Sequence, residues 1–280
     1  MATAAGAFAF SFRVSSIFLA MKLLATALFF LLCLSPAPAK LISKTIDYTD
    51  EKGTALQGYV VYDDAISGKR PGVLVIHDWR GLTDYTKMRS DMLAKLGYIA
   101  FAADIYGKDV RPQSPPDYAK QATIYKNDRA LYRERARAAY AAFLKQPLLD
   151  PARIAAIGYC FGGTGVIEMA RDGLDLKGVV SFHGGLDSQP LSPGATIKPK
   201  VLALCGADDP FEKPDDMKAF EQQLRDNNVD YQIISYGHAV HAFTDPGVDA
   251  LHLDGAKYNA AADKRSWQAM SDFFNELFAK

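Results

Sequence analysis

The 280 residues are 49% hydrophobic and carry 32 basic and 32 acidic side chains, a formal net charge of +0. That balance is ordinary for a globular enzyme and argues against disorder or a repeat array. With no Lys/Arg-rich stripe to neutralise phosphates, it also excludes a nucleic-acid partner.

The first 39 residues contain no Asp or Glu, two basic residues (Arg13 and Lys22), an apolar run from Leu23 to Leu34, and Ala37-Pro38-Ala39 before Lys40. This pattern predicts a signal peptide over 1–39, cleavage before Lys40 and export to a periplasm or the exterior. Met21-Lys22 reads as a second candidate start. The apolar run is short of the roughly 20 residues that span a bilayer, so no stable membrane insertion is expected after cleavage. Only Cys160 and Cys205 would then remain, so the fold must rest on its core and not on disulfides.

From residue 40 onward one catalytic domain is predicted, 40–280. Lys44–Thr49 and Leu56–Tyr62 alternate apolar and polar residues around Gly53, the signature of an antiparallel hairpin. Continuous apolar runs follow at Val73–Ile76, Tyr98–Ala102, Ile154–Ile157, Gly178–Phe182, Val201–Leu204 and Tyr231–Ile234. Such runs suit strands buried on both faces of a parallel sheet. Helical stretches are expected at about Tyr85–Leu96, Pro116–Tyr125, Arg129–Lys145, Gly162–Arg171, Asp215–Asn227 and Ala261–Phe278. Alternating β and α segments with an antiparallel start predict an α/β-hydrolase fold, an eight-stranded, mostly parallel sheet flanked by helices. The active site should then lie outside the carboxyl ends of the strands.

The chemistry-bearing residues fall at those ends. His77-Asp78-Trp79-Arg80-Gly81 follows the first parallel strand, where a loop N–H completes an oxyanion hole, and Trp79 is the expected donor. Gly158-Tyr159-Cys160-Phe161-Gly162-Gly163 lies between a buried strand and a helix. It is a nucleophile elbow, G-x-S-x-G, with Cys in place of Ser. The flanking glycines avoid collisions in a strained turn, and the helix N-terminus favours a thiolate. The N–H of Phe161 is the second expected oxyanion donor.

An acid and then a base should follow. Cys205-Gly206-Ala207-Asp208-Asp209-Pro210 supplies the acid: Asp208 is preferred and Asp209 is the alternative. Gly237-His238-Ala239-Val240-His241-Ala242-Phe243 offers two bases. His77 and His183 end apolar strands and are read first as structural hydrogen-bonding residues, second as pocket lining, and His252 as solvated. No three or four ligands are spaced for zinc, and neither metal nor organic cofactor is required.

Together these residues resemble the dienelactone hydrolase family over about 44–278, most specifically in Gly-Tyr-Cys160-Phe-Gly-Gly, Gly-Ala-Asp208 and His241-Ala-Phe. The resemblance implies a Cys160, Asp208, His241 triad, with His238 left as an exposed loop residue. It implies hydrolysis of a small-molecule ester or lactone, and a carboxylate, here Asp78, that interacts with the resting thiol. It also implies an Arg four residues after the catalytic His to hold a substrate carboxylate; this chain has Asp245 there. Arg129 or Arg133 could correspond to a second substrate Arg. With Asp245 removing one anchor and adding a like charge, the pocket is expected not to be tuned for anionic dienelactone. Three rivals remain at this stage. They are a thioesterase or peptidase on the same triad, a binding protein with a decayed site, and a thiol redox protein, which would want a C-x-x-C that is absent.

Overall fold

In the computed structural model, residues 40–279 are described; the expected signal segment lies outside them. The chain opens with β1 (Leu41–Thr49) and β2 (Ala55–Asp63), paired antiparallel from Leu41↔Asp63 to Thr49↔Ala55. Their turn is built by Asp50, whose carboxylate accepts from the N–H groups of Lys52 and Thr54, and by Gly53 at φ +80. A positive φ costs glycine little because it has no Cβ.

The remaining strands are β3 (Arg70–Ile76), β4 (Ile99–Ala103), β5 (Leu149–Tyr159), β6 (Gly178–Phe182), β7 (Lys200–Gly206) and β8 (Tyr231–Tyr236). The sheet order is β1-β2-β4-β3-β5-β6-β7-β8, antiparallel through β2–β4 and parallel from there on. This is the expected α/β-hydrolase plan, with all eight strands where the apolar runs predict them. The helices are α1 (Asp84–Lys95), α2 (Pro115–Asn127), α3 (Arg129–Leu144), α4 (Phe161–Arg171), α5 (Pro214–Asp226) and α6 (Ala260–Phe278).

Why the central strands read as unbroken apolar runs is visible in the packing. Side chains alternate across a strand. Leu74 and Ile76 therefore join one core with Tyr132 of α3, Val166 of α4 and Phe220 of α5. Val73 and Val75 join the other, with Leu93 of α1 and Phe274 of α6. Both faces are dry, so no position in the run can be polar. Phe274 is fully buried against Tyr98, and burial of a side chain that size stabilises by about 1.5–3 kcal/mol. The edge strand β1 keeps a half-exposed, alternating pattern because only one face has a partner.

Glu168 of α4, fully buried, sits among arginines. Arg133 of α3 reaches it at 2.6 Å, Arg171 at 2.8 Å and Arg129 at 3.8 Å. Arg129 also bonds Asp187 at 3.0 Å, and Arg133 bonds Ser192 and the Pro190 carbonyl. A buried carboxylate needs such partners, because unpaired it would cost several kcal/mol. This corrects the expectation that Arg129 or Arg133 anchors substrate: both are consumed in fastening the helix behind the elbow to its neighbour.

Candidate active site

β5 delivers its last residue, Tyr159, to the elbow, and Cys160 takes φ +55 and ψ −113 before α4 begins at Phe161. The turn explains its glycines. A Cβ on Gly158 would lie 1.9 Å from the Gly162 carbonyl oxygen, and one on Gly162 would lie 2.2 Å from that of Ile76. No side chain fits either gap. The Cys160 N–H donates to the Phe182 carbonyl at 3.0 Å and to His183 Nδ1 at 3.1 Å, which holds the elbow against β6.

His241 Nε2 lies 3.0 Å from Cys160 Sγ, and its Nδ1 lies 2.8 Å from Oδ2 of Asp209. The sulfur, imidazole and carboxylate are thus in line, with Cys160 and His241 brought together as expected. The acid is not the expected one. Asp208 is exposed; its N–H continues the pairing beyond β7 by donating to the Ala239 carbonyl at 3.0 Å. The turn closes one residue later, where Asp209 N donates to the Gly206 carbonyl. Asp209 Oδ1 caps that turn by accepting from Phe211 N at 2.9 Å, leaving Oδ2 for the imidazole. Asp-Asp in a tight turn offers both residues as turn formers, and only the turn's register tells them apart.

His241 is further fixed by a β-bridge to Ala256: its N–H donates to the Gly255 carbonyl and its carbonyl accepts from Lys257 N. Sequence reasoning had no signal for this clasp. His238 is exposed, and its carbonyl accepts from Asn259. His252, also exposed, ends a 3₁₀ turn at Val248–Leu251.

Electrostatics favour an ion pair in this arrangement. Burial opposes a Cys160 thiolate, but the charge of His241 and its hydrogen bond outweigh burial and hold the thiol below its ordinary range; Lys126 helps and Asp78 opposes. Burial likewise opposes the imidazolium, and the Cys160 charge with the Asp209 bond overcomes it, raising His241. Cys205 behaves oppositely: buried on β7 without a cation, its thiol is pushed up to about 12.

The two remaining histidines are structural, as read first. His77 is fully buried; Nδ1 donates to the Asp78 carbonyl at 2.6 Å and Nε2 accepts from Ile105 N. These bonds fix the loop bearing Asp78 and Trp79. His183 accepts from Cys160 N at Nδ1, so Nε2–H donates to Thr244 Oγ1 at 2.7 Å, and Thr244 in turn meets the Tyr85 hydroxyl at 2.7 Å. Burial, then the neighbouring His241 charge, keeps His183 neutral. It also lines the cavity, so both readings of it hold.

The residues expected to donate to the oxyanion are fastened at their carbonyls. The Trp79 carbonyl accepts from Tyr106 Oη and the Phe161 carbonyl from Tyr132 Oη, each at 2.9 Å. The phenylalanine ring stacks on Tyr132 at 4.5 Å. Beside Cys160 opens a cavity of about 290 Å³, walled by Trp79, Tyr85, Tyr159, Phe211, Val248 and Leu251. Phe211, 60% exposed, stands edge-on to His241 at 5.2 Å and forms part of the rim. Among the described residues no group of three or more His, Cys, Asp or Glu could hold a metal ion, and no helix is long and apolar enough to cross a membrane.

One cavity residue escaped sequence reasoning. Arg80 sends Nε and Nη2 to Asp78, at 3.1 and 2.5 Å on Oδ2, and Nη2 also meets Asp245 Oδ2 at 2.6 Å. Its N–H donates to Asp78 Oδ1 at 2.7 Å. Asp245 therefore turns inward, not outward, but as the partner of an arginine. The expected like-charge repulsion is largely cancelled by Arg80.

The model of the dienelactone hydrolase family matches residues 56–278. The chain belongs to the dienelactone hydrolase family. As a member it is a hydrolase of carboxylic esters or lactones, acting on a small molecule. A Yersinia pestis protein provisionally named a carboxymethylenebutenolidase is 26% identical, covering 80% of this chain and 85% of that protein. The crystal structure of P91, a dienelactone hydrolase-like promiscuous phosphotriesterase from metagenomic libraries, superposes with a TM-score of 0.82 at 40% identity, covering 85% of this chain and 99% of that one. The dienelactone hydrolase-like structure from Klebsiella pneumoniae, at 22% identity and TM-score 0.70, shows the shared fold.

Proposed function

We propose that this hydrolase cleaves small neutral esters and lactones through a Cys160 thioester. The observation that carries the reading is the Sγ–imidazole–carboxylate line, 3.0 and 2.8 Å, at the edge of the apolar cavity. The thiolate of Cys160 attacks the carbonyl carbon, and the oxyanion that forms is held by the N–H groups of Trp79 and Phe161. His241 gives its proton to the leaving oxygen as the carbon–oxygen bond breaks. It then takes a proton from water, whose oxygen attacks the thioester and releases acid and free thiolate. Asp209 keeps Nδ1–H pointed away, so that Nε2 faces the sulfur throughout. Esters, lactones and phosphotriesters, the last suggested by the 40% identical phosphotriesterase, belong in one assay panel. Turnover of esters or lactones in wild type that disappears in Cys160→Ala supports the reading; equal turnover in both overturns it.

The charge of the cavity narrows the substrate further. Among the cavity's lining residues Asp78, Asp245 and Asp254 stand against Arg80 and Lys126, one negative charge in sum, and the guanidinium is already committed to two carboxylates. A substrate carboxylate thus forgoes the charge-assisted bond that an uncommitted Arg80 would give, worth roughly 1.5–3 kcal/mol. For a carboxylated lactone and its methyl ester, the ester is expected to have the higher kcat/KM by about 10- to 100-fold. A wild-type preference for the free acid would contradict this, and Asp245→Asn, which relaxes the hold on Arg80, should narrow the gap.

We also propose export, on the strength of the apolar Leu23–Leu34 run and Ala37-Pro38-Ala39. N-terminal sequencing of the exported protein should begin at Lys40; a product retaining Leu23–Leu34 overturns it.

A further inference from the structure

Three charges crowd the floor of the cavity beside the sulfur. Asp78 is 5% exposed and Asp245 6%, and between them Arg80 extends over the face of Tyr85 at 5.5 Å. All three polar atoms of Arg80 that meet Asp78 come from one residue two positions along the same loop: the main-chain N–H, Nε and Nη2. Asp245 Oδ2 completes the grip, and its Oδ1 is itself fixed by the Gly247 N–H at 2.8 Å. The Asp78 carboxylate is therefore saturated by its own loop, while Cys160 Sγ keeps His241 as its partner at 3.0 Å.

We propose that Arg80 is a positioning residue that holds Asp78 away from Cys160, so that the thiolate–imidazolium pair forms before any substrate arrives. This rests on the reading of Cys160 as nucleophile and adds that the site needs no substrate-triggered release of the thiol. The physical logic is short. An unpaired carboxylate beside a thiol disfavours the thiolate by like charge, and it can also accept the S–H hydrogen bond that His241 should receive. A guanidinium locked on that carboxylate offsets the first effect and removes the second, leaving only the weak opposition of Asp78 noted above. The proton of Cys160 then has one destination, Nε2 of His241, and no further reactant is needed to move it there.

Other groups set the same equilibrium and must be held constant. Facing or near Cys160 are Lys126 on α2, Tyr132 on α3, Tyr106 after β4, His183 after β6 and His241 after β8. None of these touches Arg80 in the contacts described above, so altering Arg80 reaches the thiol through its two carboxylate partners, Asp78 first and Asp245 behind it.

The test reads the thiolate directly, without turnover. Iodoacetamide alkylation of Cys160 is followed against pH by mass spectrometry, with buried Cys205 as internal control and circular dichroism to verify folding. In wild type the alkylation midpoint should lie well below that of an ordinary thiol. Arg80→Gln should raise the midpoint by about one pH unit, which slows alkylation about tenfold on the acid side. Arg80→Lys, a cation without the fork, should fall between. Asp78→Asn/Arg80→Gln should restore the wild-type midpoint, because the offending charge is gone. Wild-type midpoints in Arg80→Gln and Arg80→Lys would overturn the proposal. So would a double variant that alkylates as slowly as Arg80→Gln, since that marks Arg80 as merely structural. If Cys160 were not the nucleophile at all, these midpoints would still shift, while the Cys160→Ala assay would show undiminished turnover.

Discussion

Cys160→Ala is expected to lower ester turnover by about 10⁴-fold or more, while the folded chain persists. In the proposed mechanism the nucleophile is the one group for which no neighbour can substitute: Cys205 is buried on β7, its thiol held protonated by burial. The fold should tolerate the change because alanine fits wherever cysteine does and takes φ +55 at similar strain. The bonds from the Cys160 N–H to Phe182 and His183 are main-chain and survive. Circular dichroism and a thermal melt check that half of the expectation. Residual turnover close to wild type would remove the nucleophile assignment.

The second large effect separates two adjacent acids. Asp209→Asn should reduce kcat by about 10²–10⁴-fold, because an amide can donate to Nδ1 and so favour the tautomer whose Nε2–H points at the sulfur. The ion pair would also lose the charge that supports the imidazolium, so the acid limb of the pH profile should move upward. Asp208→Asn, on an exposed side chain, should stay within about twofold of wild type, as surface changes usually do. Steady-state kinetics on one activated ester decide between them. The reverse ranking would return the role to Asp208.

That pair also shows where sequence reasoning stops. Strand and helix placement was legible because a two-faced sheet demands unbroken apolar runs, as in Val73–Ile76, and helices demand 3.6-residue periodicity. The elbow was legible because a Cβ at Gly158 or Gly162 would fall 1.9 or 2.2 Å from a carbonyl oxygen, so no other residue fits. Choosing Asp209 over Asp208 needed the register of a turn, set by hydrogen bonds from Asp208 N to Ala239 and Asp209 N to Gly206, which leave no trace in residue type. Arg80, Asp245 and the His241–Ala256 bridge were hidden for a different reason. Arg80 and Asp245 are separated by 165 positions, and the bridge closes an irregular loop that has no strand pattern to announce it. Position 245 read as a repulsive acid because its cation comes from another strand end. Arg129 and Arg133 read as possible substrate anchors because their buried partner, Glu168, looks in sequence like any other helical glutamate.

The central claim is that an acyl group passes through Cys160 with His241 and Asp209 in support. Rapid quenching of the enzyme during turnover of an activated acetate ester, followed by peptide mass spectrometry, tests it most directly. An acetyl group on the Cys160 peptide is predicted, formed in wild type, absent from Cys160→Ala, and lost on neutral hydroxylamine treatment as a thioester should be. Acetylation at another residue, with turnover surviving in Cys160→Ala, would contradict it.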